Sequence, residues 1–148
     1  MNKSMIAYIL GWIIKLEGLF MLIPVLVALI YQERNGMWFA IVAACALAFG
    51  AFVTHKKPES NVFYMREGCI ATAMSWFIMS VIGCLPFVLS GEIPSFTDAL
   101  FETVSGFTTT GSTILSDVES LSYCMLFWRS FTHWIGGMGV LVFLLAVI

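Results

Sequence analysis

Phe101-Glu-Thr-Val-Ser-Gly-Phe-Thr-Thr-Thr-Gly-Ser-Thr113 decides how this chain reads: a short helical pattern runs straight into a hydroxyl-rich loop with one glycine. Long apolar segments flank it on both sides. Irregular backbone at membrane depth is tolerated only where it is buried in protein or lines a watery path. Rings of backbone carbonyls can replace the hydration shell of a cation. Cation conduction is therefore the reading against which others are weighed.

Composition supports the membrane setting. Of 148 residues, 60% are hydrophobic and 11% charged, against about 25% charged in soluble domains; mean hydropathy is +0.96. A net charge of −2 does not suggest nucleic acid as a partner. Cys45, Cys69, Cys84 and Cys124 lack paired spacing and read as small apolar residues in helix packing. His55 and His133 are far apart, so neither zinc nor haem is implied. No cofactor motif is present.

Four apolar segments stand out, at about 5–31, 37–54, 68–89 and from about 121 to the end. The first is too long for a signal-peptide core and reads as a retained helix. Pro24 could kink it, and Gly11 and Gly18 could form a close-packing face. Gln32–Gly36 reads as a tight turn, and Pro86 is expected to interrupt the third segment. The fourth is still apolar at Ile148, which suggests a piece of a longer protein.

Lys3, Lys56, Lys57 and Arg66 place the N-terminus and the 55–67 connector on the cytoplasmic side by the positive-inside rule. Residues 90–120 then face outward. They hold Glu92, Asp98, Glu102, Asp117 and Glu119, and no lysine or arginine. A field of one sign concentrates the opposite ion; an ordinary solvated acidic loop is the plainer reading.

Within that region Pro94 and Ser95 open a helix, with Ser95 and Asp98 spaced as a capping box. Phe96, Leu100, Phe101 and Val104 form an apolar stripe, and Gly106 reads as the terminator. Such a helix of roughly ten residues covers about 15 Å, half a bilayer, and is better read as re-entrant than spanning. Its C-terminal end carries the negative pole of the helix dipole, which favours a cation. Thr108, Thr109 and Thr110 can tie the loop to the helix, and Gly111 permits backbone angles closed to other residues.

The quoted run resembles the first pore loop of the TrkH family of bacterial potassium-uptake proteins, within the Trk/Ktr/HKT superfamily. Phe127-Trp-Arg-Ser-Phe-Thr-His-Trp-Ile-Gly-Gly-Met-Gly139 resembles the helix that follows that loop. His133 stands where glutamine is more usual, and Ser112 where alanine is. The resemblance implies an all-α integral membrane fold: two leading transmembrane helices (1–54), a cytoplasmic connector (55–67), and a first helix–pore-loop–helix repeat (68–148) that is one quarter of a pseudo-fourfold channel. It implies that Thr109, Thr110, Gly111 and Ser112 offer backbone carbonyls to potassium as the transported ion. The implied partners are the remaining repeats of the same protein, a cytoplasmic nucleotide-binding ring of the TrkA type, a second copy in a homodimer and the bacterial inner membrane.

Arg129 lies about 12 Å into the fourth segment. Glu102 is its candidate partner, bracing the loop from behind, with snorkelling to the interface as the alternative. Lys15 and Glu17 point to nearly opposite sides of one helix, so pairing with other helices is expected. Gly136, Gly137 and Gly139 read as a close-packing patch. Two other classes remain: a non-conducting assembly subunit, and an intramembrane serine hydrolase using Ser105 and His133. The latter lacks a nucleophile-turn motif, so the chain is read as no enzyme.

Overall fold

The computed structural model describes residues 2–59, 62 and 64–147, with no strand among them. Ser60, Asn61 and Phe63 of the expected connector, and Met1 and Ile148 at the ends, lie outside the described residues. The helices are α1 (Lys3–Ile30), α2 (Gly36–Thr54), α3 (Met65–Ser90), α4 (Phe96–Phe107) and α5 (Tyr123–Val147), with a 3-10 turn at Val118–Ser120. α1, α2 and α3 are each long and apolar enough to cross a membrane. α5 has 25 residues, about 37 Å of helix, whereas α4 has 12, about 18 Å.

α1 and α2 form an antiparallel hairpin sealed by small residues. A Cβ on Gly18 would lie 3.2 Å from the Ala43 carbonyl oxygen, and one on Gly11 2.8 Å from Thr54 Cγ2. Close backbone approach of this kind holds helices together where lipid removes the hydrophobic drive. Gln32, with φ of 54°, turns the chain between them. Lys15 reaches the end of α2, where its ammonium donates to Thr54 Oγ1 at 2.9 Å and sits 4.0 Å over the Trp12 ring. The carbonyl end of a helix favours a cation there.

The two prolines are absorbed. α1 runs on past Pro24, and Pro86 does not interrupt the third segment: α3 continues to Ser90, where Gly91 at φ 78° ends it. Both prolines are buried, and packed neighbours make a missing backbone bond tolerable in a membrane helix. α3 also begins earlier than the apolar pattern does. Glu67 reaches back to accept the Tyr64 N–H at 3.2 Å and takes the Asn2 N–H at 2.5 Å, so the polar first turn is helical.

Trp128 of α5 is the hub of the core. It is 0% exposed, and its indole N–H donates to the Gly83 carbonyl of α3 at 3.0 Å. Its ring meets Phe39 of α2 at 5.9 Å and Phe107 of α4 at 6.5 Å, both edge-on.

α4 corrects three local expectations. The Ser95 side chain makes no capping bond, and only its carbonyl engages, accepting from Ala99 N–H. Of the expected stripe, Phe96, Phe101 and Val104 face out and only Leu100 packs against the core, while Ala99, Glu102, Thr103, Ser105, Gly106 and Phe107 are buried. Gly106 does not end the helix. It lies inside, where a Cβ would overlap Thr132 Oγ1 of α5.

Candidate functional site

The end of α4 and the loop behind it are tied together residue by residue. Ser105 carbonyl accepts from Thr110 N–H at 3.0 Å and Gly111 N–H at 3.4 Å, and Gly106 carbonyl accepts from Thr109 N–H at 3.0 Å. Thr109 (φ 58°) and Gly111 (φ 79°) both occupy the left-handed region. For threonine that conformation costs about 1–2 kcal/mol; the surrounding bonds hold it. Thr108 hydroxyl donates to Val104 carbonyl at 2.7 Å and shares a 2.8 Å bond with Thr110 Oγ1. Thr109 hydroxyl donates to Thr108 carbonyl at 2.7 Å. Of the three threonine hydroxyls, only that of Thr108 bonds to the helix directly; Thr109 and Thr110 are tied to it through their N–H groups.

The far end of the loop is fixed by Ser105 and Glu102. Ser105 hydroxyl donates to Ser112 carbonyl at 2.6 Å. Glu102, 2% exposed, accepts Thr113 hydroxyl at 2.5 Å and Ile114 N–H at 2.6 Å on one oxygen. Its other oxygen accepts Arg129 Nε–H at 3.0 Å. One buried carboxylate therefore joins the loop to α5. Charge-assisted bonds are about twice as strong as neutral ones, which suits a contact that must fix backbone position.

Between these anchors lie Thr109, Thr110 and Gly111. Among the described residues, none of their carbonyls accepts a hydrogen bond. Ser112 carbonyl keeps one lone pair beside its bond from Ser105. Thr109, Thr110 and Gly111 thus leave three consecutive carbonyls open on a fixed loop, the kind of ligand that replaces a cation's hydration shell when several loops form a ring.

α5 supports the same loop from behind. A Cβ on Gly136 would overlap the Phe107 carbonyl, so only glycine allows α5 to sit this close to the end of α4. Gly139 packs on Trp76, while Gly137 has open space. An apolar cleft of about 400 Å³ opens beside Phe107 and Thr108, lined also by Cys69, Thr72, Trp76 and Val140.

Ser105 and His133 do not form a nucleophile and base. Ser105 is bonded to Ser112, and His133 Nδ1 lies 3.0 Å from the Arg129 carbonyl. The acidic outer region is also less uniform than its sequence: Glu92 accepts Ser122 N–H at 2.9 Å and Glu102 is consumed internally. Glu33, in the α1–α2 turn, accepts Tyr123 N–H at 2.7 Å and Cys124 N–H at 3.0 Å. Nothing in the sequence pairs Glu33 or Glu92 with a helix start so far along the chain.

The chain is thus an all-helical membrane bundle in which a half-length helix ends in a braced loop with open carbonyls. The TrkH family model, described as a cation transport protein, matches residues 35–148, and the chain belongs to that family. It is 38% identical over its whole length to the Trk system potassium uptake protein TrkH of Escherichia coli K12, covering 31% of that protein. Over 93% of its length it is 40% identical to an uncharacterized cation transporter of Methanocaldococcus jannaschii, covering 29% of it. The crystal structure of the potassium transporter TrkH from Vibrio parahaemolyticus superposes with a TM-score of 0.91 at 33% identity, over 99% of this chain and 32% of that one. The chain thus spans under a third of the length of these relatives.

Proposed function

We propose that this chain supplies one of four pore loops of a potassium-uptake protein, with the carbonyls of Thr109, Thr110, Gly111 and Ser112 facing the ion. The observation that carries the reading is the open run of carbonyls from Thr109 to Gly111, fixed at one end by the helix and at the other by Glu102 and Arg129. Glu102 and Arg129 act as supports of the loop, not as ligands. The similarity to a potassium uptake protein and a potassium transporter supports the choice of ion.

The other three loops come from the remaining repeats of the whole protein. Residues 1–54 are the leading helix pair, 55–67 the connector and 68–148 the first repeat. The protein sits in the bacterial inner membrane with its N-terminus cytoplasmic, consistent with Lys3, Lys56, Lys57 and Arg66, and with the pore loop facing outside. A cytoplasmic nucleotide-binding ring of the TrkA type and a second copy of the protein complete the assembly. No step of this function is enzymatic.

Rubidium uptake by the intact protein, in cells lacking their own uptake systems, tests the reading. Gly111→Asp should abolish uptake while membrane abundance stays at the wild-type level. Wild-type uptake by the expressed variant would remove Thr109–Ser112 from the ion path and favour an assembly role.

A further inference from the structure

The middle of α1 carries a carboxyl group that the pore loop does not use. Glu17 is 0% exposed, and neither of its oxygens has a hydrogen-bond partner among the described residues. The pairing with another helix expected of it is not made. Its surroundings are close-packed. The point where a Cβ on Gly83 would stand lies 3.2 Å from Glu17 Oε1, 2.9 Å from Thr103 Cγ2 and 3.1 Å from Phe107 Cε2. The carboxyl group is therefore pressed against α3 directly behind the end of α4.

Among the described residues, the groups that could share its charge are absent or engaged. α2 presents Ala43, Ala46 and Leu47 next to the neighbouring Gly18. α3 presents the Cys84 thiol, itself bonded to the Val81 carbonyl. On α4, Glu102 is taken up by Thr113, Ile114 and Arg129; on α5, Arg129 holds Glu102 and His133 holds the Arg129 carbonyl. Lys15, on the same helix, is bonded to Thr54 and covered by Trp12. A metal cation would need several more oxygen ligands, and the nearest groups at Gly83 are a methyl and an aromatic edge. A proton needs none.

We infer that Glu17 is a proton-binding site in the bundle core, its carboxyl group held as the neutral acid, and that in this form it is a positioning residue that lets Gly83 of α3 seat against Thr103 and Phe107 of α4. An ionised carboxylate without a partner is far more costly to bury than a neutral acid of the same shape. The neutral form fills the space behind the pore helix at a far smaller electrostatic cost than the carboxylate would. Loss of the proton would leave an unpaired charge in the packed space beside Gly83, Thr103 and Phe107.

Infrared spectroscopy on the intact protein, reconstituted in lipid at neutral pH, tests this without measuring flux. The wild type should show the carbonyl stretch of a protonated carboxylic acid, shifted slowly or not at all on transfer to heavy water. Glu17→Gln, a neutral isostere, should lose that band and reach the membrane at wild-type abundance. Loss of carboxylate bands in place of the acid band would overturn the inference. So would a Gln variant that fails to accumulate, since that would mean a charge is required at the site. Neither result depends on whether Thr109–Ser112 carry the ion.

Discussion

Gly136 and Gly137 stand side by side in α5 yet meet different surroundings. A Cβ on Gly136 overlaps the Phe107 carbonyl, whereas one on Gly137 meets nothing within 4 Å. Gly136→Ala should force α5 off the end of α4, a strain of about 1–3 kcal/mol, and reduce rubidium uptake along with thermal stability. Gly137→Ala should leave uptake intact and raise stability by about 0.5–1 kcal/mol, because alanine loses less backbone entropy than glycine when the helix forms. Equal effects of the two substitutions would show that the contact with Phe107 is not what requires glycine. Glu102 supplies a second residue-scale expectation. Glu102→Gln leaves Arg129 without its charge partner, at a cost below the ~3–5 kcal/mol of a fully buried pair, because 17% of the Arg129 side chain is exposed. A double-mutant cycle with Arg129→Met should recover part of that loss; strict additivity would mean the pair is not energetically coupled.

At the scale of elements, the start of α5 is held by carboxylates from distant turns. Partial burial pushes the Glu33 carboxyl up, but the N–H groups of Cys124 and Tyr123 outweigh it and hold it below the usual carboxylate range. A lowered folded value means that the contact stabilises fully above the ordinary carboxylate range and is lost as pH falls through the lowered one. The protection factors of the Tyr123 and Cys124 amides, their exchange measured against the intrinsic rate at each pH, should therefore be high at neutral pH and fall on acidification, with Glu33→Gln low throughout. Protection in the wild type that does not change with pH would show that Glu33 does not cap the helix. α4 shows why part of this was hidden in the sequence. The existence of a half-length helix was legible from its apolar spacing, but its buried face was not. An apolar stripe is read as inward because water is assumed outside; here Phe101 and Val104 face out, and Thr103, Ser105 and Gly106 pack within. Small and hydroxyl-bearing residues let helices approach closely in a membrane, so the inward face carries the weaker hydrophobic signal.

For the whole molecule, element order and the place of the loop were legible because length and hydropathy set them directly. The contacts that join the helices were not, since a tryptophan in an apolar run looks the same whether it faces lipid or the core. Trp12 and Trp134 are 52% and 56% exposed, and Trp128 is 0% exposed. Only the fold reveals that Trp128 gathers α2, α3 and α4 around α5, through Phe39, the Gly83 carbonyl and Phe107. Its loss should therefore act on the bundle as a unit. Trp128→Ala should cost about 3–5 kcal/mol through the cavity it leaves. Trp128→Phe keeps most of the ring packing and removes the bond to Gly83, at about 1–3 kcal/mol. Thermal unfolding of the intact protein in detergent should rank wild type above Phe and Phe above Ala, in a single cooperative transition. A transition that splits, with one part unmoved by either substitution, would mean that the leading hairpin and the pore-loop repeat fold independently and that Trp128 does not join them.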